Sequence, residues 1–252
     1  MRTAFLAFLS FCCWAQIPPG QQAAFLRDAG IVSTKEAGQG ITGSLRATLS
    51  LNGVTHDAHI QTINTPGPPP DSYKNNIAAY ALGRLLGLDN LPTVVQRTFQ
   101  GKPASFTWWL DDFLLTEDQR QDRKINPPDA ASWNAQVYLM KVFDQLIGNP
   151  DRNMGNVLID GQWRIWLIDH TRAFVVSRIP EQDPDLARCD REFLRRIKTL
   201  TAPQLHKAMD PYLSKAQIAA ILSRRDFIVR HFQRAAAAQG DARIFYTFLP
   251  AR

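Results

Sequence analysis

Between Gly148 and Asn156 the chain reads Gly-Asn-Pro-Asp-Arg-Asn-Met-Gly-Asn, a run so dense in turn formers that neither helix nor strand can continue through it. Upstream, Val137, Met140, Phe143 and Ile147 recur at helical spacing, and Ser132 can cap a helix that ends at Ile147. Downstream, 157–159 and 163–168 form a hairpin about Asp160-Gly161. The polar loop is therefore held between a helix and a small sheet, which brings Asp151, Asn156 and Asp169 to one end of that sheet. Three converging oxygen-bearing side chains suit phosphoryl transfer, because magnesium takes oxygen ligands and the attacking hydroxyl must be oriented by a carboxylate. The alternative is a capped turn in which Asp151 only satisfies backbone amides, and it explains neither the spacing of Asn156 nor the placement of Asp169.

Elsewhere the pattern divides the chain in two. A short helix over 22–28 precedes Gly38-Gln39-Gly40-Ile41-Thr42-Gly43, an alternating stretch over 45–51, the turn Asn52-Gly53 and a partner strand over 54–63. A Pro-rich loop ends at Asp71 and Ser72, either of which can cap a helix over 73–86 that Gly87 stops. Strands over 91–99 and 104–110 meet at Gly101. The polar connection over 116–129, with Pro127 and Pro128, marks the boundary of a second, mainly helical part, with further helices near 191–200 and 215–232. The expected fold is α+β and two-lobed, with a β-rich lobe over 16–115 and a helical lobe over 116–252.

Two stretches carry a family resemblance: residues 143–156, Phe-Asp-Gln-Leu-Ile-Gly-Asn-Pro-Asp-Arg-Asn-Met-Gly-Asn, and residues 167–174, Leu-Ile-Asp-His-Thr-Arg-Ala-Phe. In these the chain resembles the atypical kinases, which include the HipA-like, phosphatidylinositol 3/4-kinase-like and secretory-pathway Fam20-like kinases. The resemblance is specific over those residues and diffuse elsewhere. It implies a protein-kinase-like fold, ATP and magnesium or manganese as cofactors, Asp151 as catalytic base or orienter of the acceptor hydroxyl, and Asn156 and Asp169 as metal ligands. Gly38, Gly40 and Gly43 fit the loop that covers the nucleotide phosphates, with a plain glycine turn as the other reading. Trp108 and Trp109 lead toward the linker between the lobes, where one ring could flank an adenine or simply pack in the core.

The sequence departs from the kinase pattern at two positions. Where the third strand should present Lys, the best alignment gives Gln61, and where the following helix should present Glu it gives Asn76. An ion pair becomes a pair of amides, both assigned to the nucleotide site, and the phosphates lose a cation unless Lys35, Lys74 or an Arg reaches in. Three readings follow: an ATP-dependent kinase of an unidentified protein, lipid or small-molecule hydroxyl, a pseudokinase serving as a binding or regulatory module, and a metal-dependent phosphohydrolase.

The first fifteen residues read as a cleavable export signal: Arg2, an apolar run from Ala4 to Trp14, then Ala15. That run is shorter than the about 20 apolar residues a membrane span requires, so no transmembrane anchor is expected and a periplasmic or secreted location is. A buried amino-terminal helix is the alternative. Cleavage would remove Cys12 and Cys13 and leave Cys189 without a partner for a disulfide. Lys and Arg number 29 against 23 Asp and Glu, yet the arginines after Arg188 are spaced as on solvated helix faces without interleaved aromatics, so nucleic acid is not an expected partner. No Gly-x-Ser-x-Gly elbow and no zinc spacing of His with Cys occurs.

Overall fold

The computed structural model describes residues 17–37, 44–67, 70–176 and 186–249; residues 1–15, which the sequence suggests as an export signal, and the three glycines Gly38, Gly40 and Gly43 lie outside these. Helix α1 (Pro19–Asp28) opens with proline in its first turn, where the missing N–H removes no helical bond. Strand β1 (Gly30–Glu36) pairs antiparallel with β2 (Leu45–Leu51), which turns into β3 (Val54–Gln61). Asn52 and Gly53 both take positive φ, 52° and 79°, as a two-residue hairpin turn demands. The short strands β4 (Asn64–Thr65) and β5 (Asp71–Ser72) lead to α2 (Tyr73–Leu86), which the Ser72 hydroxyl caps. Strands β6 (Val94–Phe99) and β7 (Lys102–Trp108) complete a five-stranded antiparallel sheet in the order β1-β2-β3-β7-β6.

Side chains alternate across this sheet, and the alternation decides what can reach the site. Ala47, Leu49, Ala58, Ile60 and Phe106 are buried with Leu26 of α1 on one face. Val95 joins them, whereas its neighbour Val94 packs on the opposite face with Tyr73 and Ile77 of α2. His59 and Gln61 alternate with Ala58 and Ile60 along β3, so they face the α2 side.

Strand β8 (Phe113–Thr116) leaves this lobe to pair with the second, followed by α3 (Glu117–Asp122) and α4 (Ala130–Ile147). Strands β9 (Val157–Asp160) and β10 (Ile165–Leu167) form a hairpin, and the second sheet has the order β10-β9-β8. Beyond β11 (Cys189–Asp190) come α5 (Arg191–Lys198), α6 (Ala202–Met209), α7 (Lys215–Gln239), α8 (Asp241–Ile244) and β12 (Phe245–Tyr246), the last pairing parallel with β11. Phe143, Phe174, Phe193 and Phe232 are fully buried in the helical core. The chain thus has the α+β, two-lobed, kinase-like architecture.

Several local expectations need correction. Strand β1 was not anticipated, because every one of its residues is exposed at the sheet edge and no apolar alternation marks it. Helices α3 and α6 lie in stretches read as connections, although each opens on a capping box, Thr116 with Gln119 and Thr201 with Gln204. The cap of α4 is Asp129 rather than Ser132: its Oδ1 accepts from the N–H of Ala131 at 2.9 Å and of Ser132 at 3.2 Å. Helix α7 runs on to Gln239, seven residues past the expected end at 232.

The end of α4 is fixed by a buried cation. Gly148 ends it at φ 58°, and Arg224 of α7 donates from Nε to the Leu146 carbonyl and from Nη1 to that of Val175, both at 2.9 Å. Burial pulls the pKa of this guanidinium down to about 10, but a charge at a helix C-terminus is favourably placed. A Cβ at position 148 would lie 2.7 Å from the Arg224 Cζ, so both backbone angle and space require glycine. Gly148→Ala should therefore cost about 1–3 kcal/mol in urea unfolding. Gly161→Ala, at a turn where an added Cβ meets nothing within 4 Å, should stay within about 0.5 kcal/mol.

Candidate active site

The loop after α4 is held by one buried ion pair. Arg152 donates from Nε and Nη2 to the Asp144 carboxylate at 2.9 and 3.1 Å, and the two side chains are only 8% and 11% exposed. Asp144 also accepts from the Asn149 amide at 3.0 Å, so its two oxygens receive three donors. The remaining arm of Arg152, Nη1, donates to the backbone carbonyls of Asn156 at 3.1 Å and Ile168 at 2.8 Å. One guanidinium thereby ties helix, loop and hairpin together, and it places Asn156 beside the residue that precedes Asp169. The Ile168 N–H closes the same junction by donating to the Asn156 carbonyl at 3.2 Å.

Within the loop, the Asn153 side chain accepts from the Asn156 N–H at 3.1 Å and caps the single 3-10 turn 154–156. The side-chain amide of Asn156 itself makes no hydrogen bond among the described residues. Asp151 is 44% exposed, and its Oδ2 accepts from Arg172 Nη1 at 3.1 Å. Arg172 reaches back from the segment after Asp169 and also donates from Nε to Asp71 at 3.2 Å. Its pKa is raised, first by the Asp71 hydrogen bond and then by the charges of Asp151 and Asp71.

Asp169 takes φ 50°, a left-handed conformation that a non-glycine residue adopts only when its surroundings impose it. Those surroundings come from α2 and from the following turn. The Asn76 side chain accepts from the His170 N–H at 2.8 Å, and the Asn75 Nδ2 donates to the carbonyls of Thr171 at 2.7 Å and Ala173 at 2.9 Å. The Thr171 hydroxyl donates to Asp169 Oδ1 at 2.9 Å. His170 is buried, and burial together with the nearby Arg152 charge holds its pKa well below the usual imidazole value, so it is neutral near pH 7.

Arg152 thus joins the backbone of Asn156 to that of Ile168, the residue before Asp169, and Arg172, three residues past Asp169, pairs with Asp151. Gln61 and Asn76 are placed differently. Both are buried, the Gln61 Oε1 accepts from the N–H groups of Thr62 and Ile63 at 3.0 and 3.1 Å, and the Asn76 oxygen is committed to His170. Asn75, which sequence reasoning passed over, grips the segment after Asp169 with two bonds where Asn76 accepts one, and only knowledge of the fold reveals its partners. His59 was passed over as well. It faces the cleft side of β3, where burial lowers its pKa and the Asp169 charge opposes that shift. Toward the linker, Trp108 packs in the core and stacks on His56 at 3.6 Å, while Arg46 covers the Trp109 ring at 4.2 Å and pairs with Asp57 at 2.5 Å.

Among the described residues no group of three or more His, Cys, Asp or Glu side chains could hold a metal. Asn156 and Asp169 carry oxygen donors, the type that hard divalent cations take. Among the described residues no helix is long and apolar enough to cross a membrane.

No protein-family model and no curated protein matches the sequence. Solved structures do: the chain is similar to a crystal structure of a Helicobacter pylori proinflammatory kinase, CtkA, with a TM-score of 0.57 and 13% identity, covering 84% of this chain and 98% of that one. At that identity the likeness establishes a kinase-like fold.

Breaking the buried pair should loosen the whole site. Asp144→Ala strands the Arg152 charge and should cost about 3–5 kcal/mol in denaturant unfolding. A loss under about 1 kcal/mol would show that the loop is held by other means.

Proposed function

We propose that this protein is a kinase that transfers the γ-phosphoryl group of ATP to a hydroxyl acceptor. The reading rests on one observation above the rest: Arg152 bridges the carbonyls of Asn156 and Ile168, so the chain at Asn156 runs beside the strand end that leads into Asp169, with Asp151 in the adjoining loop. Residues 16–115 form the lobe that covers the nucleotide, and residues 116–252 carry the reacting groups. Asp151, exposed and open to an acceptor, orients the hydroxyl and takes its proton as the oxygen attacks. Asn156 and Asp169 hold the magnesium or manganese ion, which when bound offsets charge on the phosphates. Gly38, Gly40 and Gly43 cover the phosphates with backbone N–H groups, and Gln61 and Asn76 line the nucleotide side of the cleft. Residues 1–15 direct the chain out of the cytoplasm and are removed. The acceptor is a protein, lipid or small molecule.

A second reading, a pseudokinase that binds nucleotide or a partner without turnover, draws on a specific feature: β3 carries no lysine, and the Gln61 oxygen is spent on its own backbone. The two readings separate in one set of measurements on the chain from residue 16, with ATP and magnesium or manganese. The kinase reading requires ADP formation or autophosphorylation, and Asp169→Ala should abolish both it and the metal-dependent thermal shift by ATP. Asp151→Ala should lower turnover by about a hundredfold or more with an unchanged melting temperature. Equal turnover in the Asp151 variant would remove that residue from the mechanism, and nucleotide binding with no turnover in the parent would favour the module.

A further inference from the structure

The kinase reading leaves an electrostatic gap. Strand β3 presents His59 and Gln61 to the cleft, and neither carries the permanent charge that a phosphate-pairing lysine would bring. Lys35 stands on the exposed edge strand β1, and Arg46, opposite His59 on β2, is paired with Asp57 and laid over Trp109, so β3 itself brings no permanent cation to the transferring group.

Arg172 is differently placed. It lies three residues past Asp169, on the turn whose carbonyls Asn75 grips. Its guanidinium is shared between two carboxylates, Asp71 Oδ2 at 3.2 Å and Asp151 Oδ2 at 3.1 Å. Asp71 is 13% exposed at the side chain, and its Oδ1 has no partner among the described residues, so this acid serves as an anchor for Arg172 and little else. Arg172 is itself 41% exposed. A guanidinium has five N–H donors, and the Nη2 group takes part in neither contact. The side chain is thus fixed on its inner edge and open on its outer one, beside Asp151 and past the metal ligand.

Building on the kinase reading, we infer that Arg172 supplies the cation that β3 lacks, meeting the γ-phosphoryl group during transfer while it orients Asp151. In that step the acceptor oxygen yields its proton to Asp151 as the new O–P bond forms. The bond from the γ-phosphorus to the bridging oxygen breaks, and its electron pair leaves on the diphosphate. Arg172 offsets charge on the moving group and swaps no proton. Arginine suits the task because its planar fork can hold a carboxylate on one edge and a phosphate on the other.

The test compares parent, Arg172→Gln, Arg172→Lys and Asp169→Ala for turnover and for calorimetric binding of ATP and ADP with magnesium. Arg172→Gln should lower kcat about a hundredfold and erase the preference for ATP over ADP while leaving ADP affinity unchanged. Arg172→Lys, which keeps the charge and loses the fork, should recover part of both. Equal losses of ATP and ADP affinity, or a kcat within about threefold of the parent, would overturn the assignment. If the parent binds nucleotide without turnover, the ATP against ADP difference alone decides it. If the parent binds no nucleotide and Asp169→Ala changes nothing, the kinase reading itself fails and this inference with it.

Discussion

The site depends on a charge pair that water barely reaches. Asp144 sits in the last turn of α4 and Arg152 in the loop that follows, so the pair spans the point where the helix stops. A buried ion pair is seldom a source of net stability, because both ions lose hydration. Its value here is geometric. The carboxylate is satisfied by three donors, and the guanidinium spends its other arm on two carbonyls from separate elements. No apolar substitute could hold a loop to a hairpin by named backbone atoms. Arg224 plays a parallel part at the same helix end, linking α7 to Leu146 and Val175. Two buried arginines therefore do for an irregular segment what a ladder of hydrogen bonds does for a strand.

Much of this was legible in the sequence where a local rule has a local cause. The helix over 73–86 was read to the residue, because two candidate caps, Asp71 and Ser72, precede it and Gly87 follows it, and Ser72 proves to be the cap. The hairpin at Asn52-Gly53 followed from turn chemistry, while the one expected about Asp160-Gly161 forms but closes through a longer loop in which Trp163, not Gly161, takes positive φ. The joining of the loop at Asn156 to the strand end at Ile168 followed from the loop's position between helix and hairpin. What could not be read was set by partners far apart in the chain. The contacts of Asn75 lie nearly a hundred residues away, and nothing in its neighbourhood sets it apart from Asn76. Strand β1 escaped notice because an edge strand exposed along its length carries no burial pattern. The short helices α3 and α6 were missed despite their capping boxes, since so few turns leave little apolar periodicity to find.

The lobes also communicate through backbone groups that side-chain substitutions leave in place. The Ser72 N–H donates to the Thr171 carbonyl at 2.9 Å, joining the start of α2 directly to the turn after Asp169. The β4 and β5 strands, Asp71 and the first turn of α2 form a single support under that turn. The polar groups of α2 are thus occupied in holding the second lobe.

That grip bears on how the protein could be switched. Releasing the segment after Asp169 means giving up at least the two bonds from Asn75, the one to Asn76 and the Ser72 N–H bond to Thr171, which together contribute roughly 4 kcal/mol. A conformer with this segment swung out would then amount to about one molecule in a thousand or fewer. A small molecule that worked by trapping such an outward state would forfeit that factor in apparent affinity. Effectors that tilt α2 and its passenger segment as one rigid unit would escape the penalty.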